Sequence, residues 1–187
     1  MKRILLLADL HQQNYVLNNL EETLKKIKPE TVILAGDLTN RNEESLFYAK
    51  RFEKIIKKNK VRLFFIHGNC DDEKVEAYFQ KRGYSIHLRS KEFEGFKIIG
   101  IGGFGEEYPQ GLDIKNSILI THLPPIMTNK TFRDAPLVHV FGHTHFWEYQ
   151  KNQGGVVLVQ LKAAMLNRAA VLELPNLKVN FISLENG

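Results

Sequence analysis

The sequence Gly-His-Thr-His at residues 142–145 constrains this chain more than any other stretch. It follows a mostly apolar run at residues 137–141, which indicates a buried strand. In a continuing strand His143 and His145 would point to opposite faces, whereas a turn that begins at Gly142 lets them face one place. Because histidine is the commonest metal ligand, the pair predicts a metal site with further ligands from elsewhere in the chain.

Other predicted strands also end in carboxylate, amide or imidazole side chains. The motifs are Asp9-Leu10-His11, Gly36-Asp37, Gly68-Asn69-Cys70-Asp71 and Thr121-His122. Sites in open α/β sheets lie at the carboxyl ends of strands, so we expect these groups to meet at one edge. The expected ligands are Asp9, His11, Asp37, Asn69, His122, His143 and His145. Seven ligands exceed the needs of one transition metal, which predicts two ions that share Asp37.

The ligand chemistry narrows the choice of metal. Imidazole and carboxylate ligands without a thiolate suit Mn²⁺, Fe, Zn²⁺ or Ni²⁺. We therefore expect two divalent transition-metal ions, with manganese favoured. Two such ions about 3.5–4 Å apart can hold a hydroxide nucleophile and clamp a phosphoryl group in line.

The hydrophobic pattern predicts one α/β domain over residues 1–187. In the first half, predicted strands and helices alternate, as in a parallel sheet with crossover helices. The strands are at 3–8, 31–35 and 61–66, and the helices at 15–28, 42–59 and 72–82. The second half is rich in predicted strands, at 85–88, 92–94, 96–101, 117–121, 138–141, 146–150, 156–161, 168–174 and 177–184. We expect the last four to form an antiparallel meander, and the strands to build two sheets face to face with helices outside.

Composition limits the cellular setting and the partners. The net charge of +5 permits anionic substrates, including nucleic acid, but does not require them. A single cysteine, Cys70, excludes an internal disulfide and fits a reducing compartment. No apolar run is long enough to cross a bilayer, and the run at 4–8 meets Asp9 too early for a signal peptide. We therefore expect a cytoplasmic protein without membrane contact, and the sequence leaves a homo-oligomer open.

The five motifs, taken in order from residue 9 to 145, resemble those of the calcineurin-like metallophosphoesterase family. The family pattern is Asp-x-His, Gly-Asp, Gly-Asn-His-(Asp/Glu), a lone His and Gly-His-x-His. The resemblance implies a four-layer αββα sandwich of two mixed sheets, and the compact, phosphodiesterase-type branch. It implies one ion held by Asp9, His11, Asp37 and His145. It implies a second ion held by Asp37, Asn69, His122 and His143, with a metal-bound hydroxide that attacks phosphorus in line.

The chain departs from the family pattern at Cys70, where the family usually has a histidine that helps protonate the leaving oxygen. A thiol is a poorer positioned proton donor than an imidazolium, so we expect weak general-acid assistance. Small phosphodiesters with good leaving groups should then react fastest. The candidate catalytic residues are Asn69, Cys70 and Asp71. Arg41, which resembles a phosphate-contacting arginine of the family's protein phosphatases, and His67 are candidate substrate-binding residues.

Several alternatives stay open at this point. The basic charge also fits a nuclease of the same family, and the missing histidine also fits a protein-interaction scaffold that keeps its metals. Cys70 is either a chemical group or a small buried residue. The glycine-rich loop at 102–109 either faces the substrate or only forms a bulge. We expect His139 to be structural, and Phe146 and Trp147 to pack into the core rather than border the pocket.

Overall fold

The computed structural model of the protein describes residues 1–103, 112–125 and 135–184. Most of the glycine-rich loop, residues 104–109, lies outside them. The described helices are α1 Asn14–Ile27, α2 Ser45–Lys58 and α3 Glu73–Lys81, with a 3₁₀ helix at Ala164–Leu166. The described strands are β1 Lys2–Leu7, β2 Thr31–Ala35, β3 Arg62–Ile66, β4 Arg89–Phe93, β5 Phe96–Ile101, β6 Ser117–Thr121, β7 Val138–Phe141, β8 Tyr149–Gln153, β9 Val156–Gln160, β10 Arg168–Leu174 and β11 Lys178–Ser183.

The strands form two mixed sheets. The first has the order β11-β10-β1-β2-β3, in which β1, β2 and β3 are parallel and the C-terminal hairpin pairs antiparallel to β1. The second has the order β4-β5-β6-β7-β9-β8, in which the four central strands are parallel. Parallel central strands are buried on both faces, which explains why their sequences are continuous apolar runs.

Two apolar clusters show how the layers pack. Alternate residues of β1, β2 and β3, such as Leu5, Leu34 and Phe65, pack against the three helices on the outer face of the first sheet. The intervening residues, such as Ile4 and Ile33, pack against the inner face of the second sheet. The predicted α/β fold with two mixed sheets face to face is therefore confirmed. The outer face of the second sheet carries a smaller cluster, and the segments 104–111 and 126–134 that follow β5 and β6 lie outside the described residues.

The second half of the chain differs from the prediction in its pairing. The expected meander is two separate hairpins, since β8 and β9 belong to the second sheet and β10 and β11 to the first. The predicted strand at 85–88 contributes only isolated bridges at Ser85 and His87. Helix α2 begins at Ser45 rather than at residue 42, because Asn42 turns the chain first and accepts a hydrogen bond from Glu44 N through its side chain.

The described ranges contain no helix that is both long enough and apolar enough to cross a membrane.

Candidate metal centre

The seven predicted ligands come together where strands of both sheets end. Asp9, His11, Asp37 and His145 form one group, and Asp37, His122 and His143 form another, with the ligand atoms of each group within 4.8 Å of one another. Asn69 adjoins the second group, because its Oδ1 lies 3.0 Å from His122 Nε2. Asp37 belongs to both groups, which is the position that the sequence predicts for a shared carboxylate.

Five of these residues have left-handed backbone conformations that non-glycine residues rarely adopt. The φ angles are 58° at Asp9, 47° at His11, 53° at Asp37, 71° at His143 and 62° at His145. Each such residue costs on the order of 1–3 kcal/mol, and a concentration of them at one place is typical of functional sites. The chain therefore carries local strain at this edge of the sheets.

The turn after β7 explains how His143 and His145 face the same place. Thr144 N donates to Gly142 O at 2.9 Å, and Phe146 N donates to Thr144 O at 2.7 Å. Each histidine is thus the central residue of a three-residue turn with positive φ, a tight and rare turn type. Two successive turns replace the alternation of a strand, so both imidazoles reach the centre.

A hydrogen bond fixes the tautomer of His11. Asn40 Nδ2 donates to His11 O at 2.9 Å, which leaves Asn40 Oδ1 to accept from His11 Nδ1 at 2.7 Å. With the proton on Nδ1, the Nε2 lone pair of neutral His11 faces Asp37 Oδ2 at 3.6 Å and His145 Nε2 at 3.1 Å. An outer hydrogen bond that orients the inner nitrogen is the usual arrangement for a metal-binding histidine.

His122 shows the same arrangement in the second group. Its Nδ1 donates to Ala35 O at 2.9 Å, and its Nε2 faces Asn69 Oδ1 at 3.0 Å and Asp37 Oδ2 at 3.3 Å. Burial acts to lower the pKa of His122, but the Asp37 carboxylate outweighs burial and raises that pKa to about 9. Conversely, burial acts to raise the pKa of Asp37, but His122 and the Cys70 amide lower it to about 2. The acceptor atoms of Asp37, Asn69 and His122 lie so close together that a positive charge, carried by a proton or a metal ion, is needed between them.

The surroundings of the Asp9 carboxylate also indicate that these residues fit divalent ions. Its Oδ2 accepts from His143 N at 3.0 Å, whereas its buried Oδ1 has no hydrogen-bond partner among the described residues. Asp9 Oδ1 lies 3.5 Å from His145 Nε2, outside good hydrogen-bond geometry, and the nearby Asp9 carboxylate raises the pKa of His145. A buried carboxylate oxygen without a donor is costly, and a bound cation would satisfy it.

Close contacts explain the glycines of two motifs. Gly36 has φ of +89°, and a Cβ there would lie 2.5 Å from His122 Nδ1. A Cβ at Gly142 would lie 2.6 Å from the Ala8 Cβ and 2.8 Å from Asp9 Oδ2. Glycine at these positions lets the ends of the two sheets approach closely enough for their ligands to meet.

The candidate catalytic residues Asn69, Cys70 and Asp71 lie on the loop after β3. Asn69 Nδ2 donates to Cys70 Sγ at 3.1 Å, and Cys70 N donates to Asp37 Oδ1 at 2.7 Å. Burial and the Asp37 charge raise the pKa of the Cys70 thiol to about 11, so the thiol stays protonated at neutral pH. Asp71 is buried and accepts hydrogen bonds from Thr39 N, Thr39 Oγ1 and Gly68 N. Asp71 therefore ties the loop after β2 to the loop after β3.

The candidate substrate-binding residues lie beside this loop. Arg41 is exposed, and its Nε donates to Asp71 O at 3.1 Å. His67 does not belong to the two ligand groups. It forms a separate cluster with Glu76 and His87, with His67 Nδ1 3.3 Å from Glu76 Oε1. Burial lowers the pKa of His67.

One residue that supports the site, Gln160, was not predicted from the sequence. Gln160 is buried at the end of β9, and its amide donates to Phe141 O, Gly142 O and Leu161 O, which supports the turn that carries His143. A lone glutamine at the end of an apolar strand is too weak a signal to identify this role.

Two aromatic residues contradict their predicted burial. Phe146 and Trp147 are 67% and 70% exposed, so neither packs into the core. They follow His145 directly on the turn after β7. The Phe146 ring centroid lies 6.3 Å from that of His145, which places Phe146 beside the site, and Trp147 is the next residue in the chain. His139, by contrast, is buried and pairs with Thr121 Oγ1 at 2.8 Å, as expected for a structural histidine.

Similar folds occur in solved structures that cover nearly the whole chain. A protein of Thermus thermophilus has a TM-score of 0.73 at 15% identity, over 98% of this chain and 99% of that one. A structure described as a novel archaeal phosphodiesterase has a TM-score of 0.62 at 18% identity, over 97% and 99%. The E. coli phosphoesterase YfcE has a TM-score of 0.58 at 13% identity, over 98% and 100%. At these identities the likeness shows the fold.

The sequence comparison is more specific. No curated protein sequence matches the chain. The sequence model described as "Calcineurin-like phosphoesterase" matches residues 2–162, which contain all seven candidate ligands. A family of metal-dependent phosphoester hydrolases thus accounts for the fold, the order of the motifs and the two metal-capable groups that share Asp37. The chain belongs to the calcineurin-like phosphoesterase family.

Proposed function

We propose that the protein is a phosphodiesterase that uses two divalent metal ions. The observation that carries this proposal is the pair of ligand groups that share Asp37 and whose acceptor atoms face one another. The structural likeness to an archaeal phosphodiesterase supports the diesterase subtype. A small phosphodiester is the proposed substrate.

The ligand groups suggest how two ions would be held. Asp9, His11, Asp37 and His145 would bind one ion, and Asp37, Asn69, His122 and His143 the other. When bound, the two ions supply positive charge for the phosphoryl oxygens and the acidity that makes water a nucleophile. Manganese is the proposed metal, because the set is rich in imidazole and carboxylate and lacks a thiolate.

The surrounding residues position the phosphoryl group and the proton donors. Asn69 is held between Cys70 Sγ and His122 Nε2, so its amide has one orientation at the centre. Arg41 carries a full positive charge beside the same loop, where it can pair with a phosphate oxygen. His67 stays a candidate for substrate contact from the neighbouring cluster.

Cys70 limits the help that the leaving group receives. A thiol with a pKa near 11 holds its proton tightly and is a weak acid at neutral pH. Asp71 acts on this step only through the loops that its carboxylate ties together. We infer that diesters with good leaving groups are cleaved faster than alkyl diesters.

The test is hydrolysis of bis-p-nitrophenyl phosphate by metal-stripped protein that is titrated with Mn²⁺. We expect activity to appear as about two ions bind per chain, and to vanish in His143→Ala. Stoichiometric metal binding without hydrolysis of any phosphoester would contradict the proposal and favour a scaffold. Cleavage of DNA that weakens steeply with salt would favour a nuclease.

A further inference from the structure

We propose that Phe146 and Trp147 form an aromatic platform that stacks on the base of a nucleoside phosphodiester while its phosphate lies at the metal centre. The platform is defined by these two residues. The inference rests on the proposed function, because it names the substrate class of the same site. It gives a specific role to the two most exposed aromatic side chains of the described residues, which follow the candidate ligand His145 directly in the chain.

The first argument is the exposure of the two rings. Large apolar side chains are mostly buried, and adjacent exposed ones at a cleft are typical of binding sites. Phe146 and Trp147 are consecutive and about two-thirds exposed, although the sequence around them predicts burial. Their exposure places two flat, apolar surfaces in water, where a partner with a flat, apolar face can cover them.

The second argument is the distance from the centre. The Phe146 ring lies 6.3 Å from the imidazole of His145, at an angle of 60° between the ring planes. His145 itself lies 3.1 Å from His11 and 3.5 Å from Asp9. A nucleotide separates its base from its phosphate by one sugar ring, so a phosphate at the centre leaves its base beside the rim.

The third argument is that the backbone on both sides of the platform is fixed. Before it, Ala163 N donates to His145 O at 2.9 Å, and the turn is closed by Phe146 N. After it, Glu148 forms a two-pronged ion pair with Arg168, with Arg168 Nε 3.0 Å from Glu148 Oε2. A platform that is held in place before the ligand arrives loses little conformational freedom on binding.

The surroundings of the two rings favour a nucleotide base, rather than a protein surface, as the ligand that covers them. The ion pair of Glu148 with Arg168 borders the platform, so the apolar surface is narrow and flanked by charge. A stable protein interface needs about 800 Å² per partner, whereas stacking on a base needs only a ring face. The net charge of +5 is compatible with an anionic nucleotide.

The chain offers a direct probe, because Trp147 is its only tryptophan. We would titrate the protein with adenosine 5′-monophosphate and with ribose 5-phosphate, and excite fluorescence at the red edge of tryptophan absorption, where adenine does not absorb. We expect the nucleotide to quench the emission and ribose 5-phosphate to leave it nearly unchanged. Equal responses to the two ligands, or none, would overturn the platform. This readout does not depend on turnover.

Kinetics would then test the role in substrate choice. The p-nitrophenyl ester of thymidine 5′-phosphate is compared with p-nitrophenyl ethyl phosphate, which has the same leaving group and no base. We expect Trp147→Ala and Phe146→Ala to lower kcat/KM for the thymidine ester roughly tenfold more than for the ethyl ester. Phe47→Ala removes an equally exposed aromatic ring on α2 and should affect both esters alike.

The outcomes separate the inference from the proposed function. Hydrolysis of neither ester, with nucleotide quenching intact, would contradict the phosphodiesterase proposal and keep the platform. Hydrolysis of both esters with equal losses in the variants would contradict the platform alone. Emission that shifts with protein concentration instead of with nucleotide would show that a second copy of the chain covers the rings, and the platform would be wrong.

Discussion

His122 Nε2 lies 3.3 Å from Asp37 Oδ2, and the two side chains come from different sheets. His122 follows β6 of the second sheet, and Asp37 follows β2 of the first. Both are almost fully buried. A proton satisfies this pair in the metal-free protein, and a metal ion would replace that proton. Because of this contact, we expect metal binding at the site to depend on pH. Asp37 is the one candidate ligand that belongs to both groups.

Removal of the Asp37 charge should cost both ions. In Asp37→Asn the shared oxygen loses its negative charge while the side chain keeps its shape, so each ligand group is weakened. We expect metal content to fall well below one ion per chain, whereas His143→Ala should keep one. Asp113→Asn is the matched control, because it makes the same carboxylate-to-amide change at an exposed residue outside the metal-capable groups. Elemental analysis after dialysis measures the result, and two ions retained in Asp37→Asn would refute the shared role.

Metal affinity should rise with pH toward about 9. The raised pKa keeps His122 protonated in the metal-free protein below pH 9, and a metal takes the Nε2 lone pair only after that proton leaves. Binding at neutral pH should therefore release this proton, while Asp37, with a pKa near 2, is already ionised. Calorimetric titrations in buffers of different ionisation enthalpy measure the protons released. An affinity that is flat between pH 7 and 9 would contradict the expectation.

Gly36→Ala should destabilise the protein by about 2–5 kcal/mol, the sum of a left-handed backbone and overpacking. The new Cβ would lie 2.5 Å from His122 Nδ1 and 2.8 Å from the Gly68 backbone. Gly83→Ala is the matched control, because Gly83 also has positive φ but no atom of the described residues crowds its Cβ position within 4 Å. Urea unfolding in the presence of a chelator compares the two. Equal losses of unfolding free energy in the two variants would mean that close packing at Gly36 contributes nothing to stability.

Cys70→His should restore proton donation to the leaving group. Because the thiol has a pKa near 11, an imidazole at this position would be the stronger acid at neutral pH. We expect kcat to rise most, on the order of tenfold or more, for alkyl diesters with poor leaving groups. Cys70→Ser controls for loss of the sulfur alone. A gain that is the same for aryl and alkyl diesters would argue against an acid role for this position.

The sequence could predict which side chains would converge because the signals for them are local. Each motif stands where a predicted apolar strand ends, and parallel strands bring such ends to the same edge of a sheet. Asp37 could be predicted as the shared residue because the number of candidate ligands called for one, and it belongs to both groups. A turn at His143 was expected, but its positive φ was not predicted.

The pairing of the late strands and the exposure of Trp147 could not be predicted, because they depend on contacts between residues that are distant in sequence. Turn-forming residues such as Gly154-Gly155 and Pro175-Asn176 indicate where strands are interrupted, but nothing local says that Val159 pairs with Val140 and Leu172 with Ile4. The meander was therefore wrong, although its strands were mostly present. The exposure of Trp147 was missed for the same kind of reason, because the path of the chain there depends on the turn after β7 and on the pairing of Glu148 with the distant Arg168.

The position of β1 has a consequence for synthesis of the chain. It is the middle strand of the first sheet, yet its neighbour β10 is translated more than 150 residues later. Until residues 168–174 leave the ribosome, an apolar strand in the nascent chain has one unpaired edge, which is a template for aggregation. The 3₁₀ helix before β10 donates from Met165 N to Asp9 O, so the same late segment also holds the backbone of the candidate ligand Asp9. Protection of this strand edge from aggregation and competence to bind metal would therefore arrive together, once residues 164–174 have been synthesised.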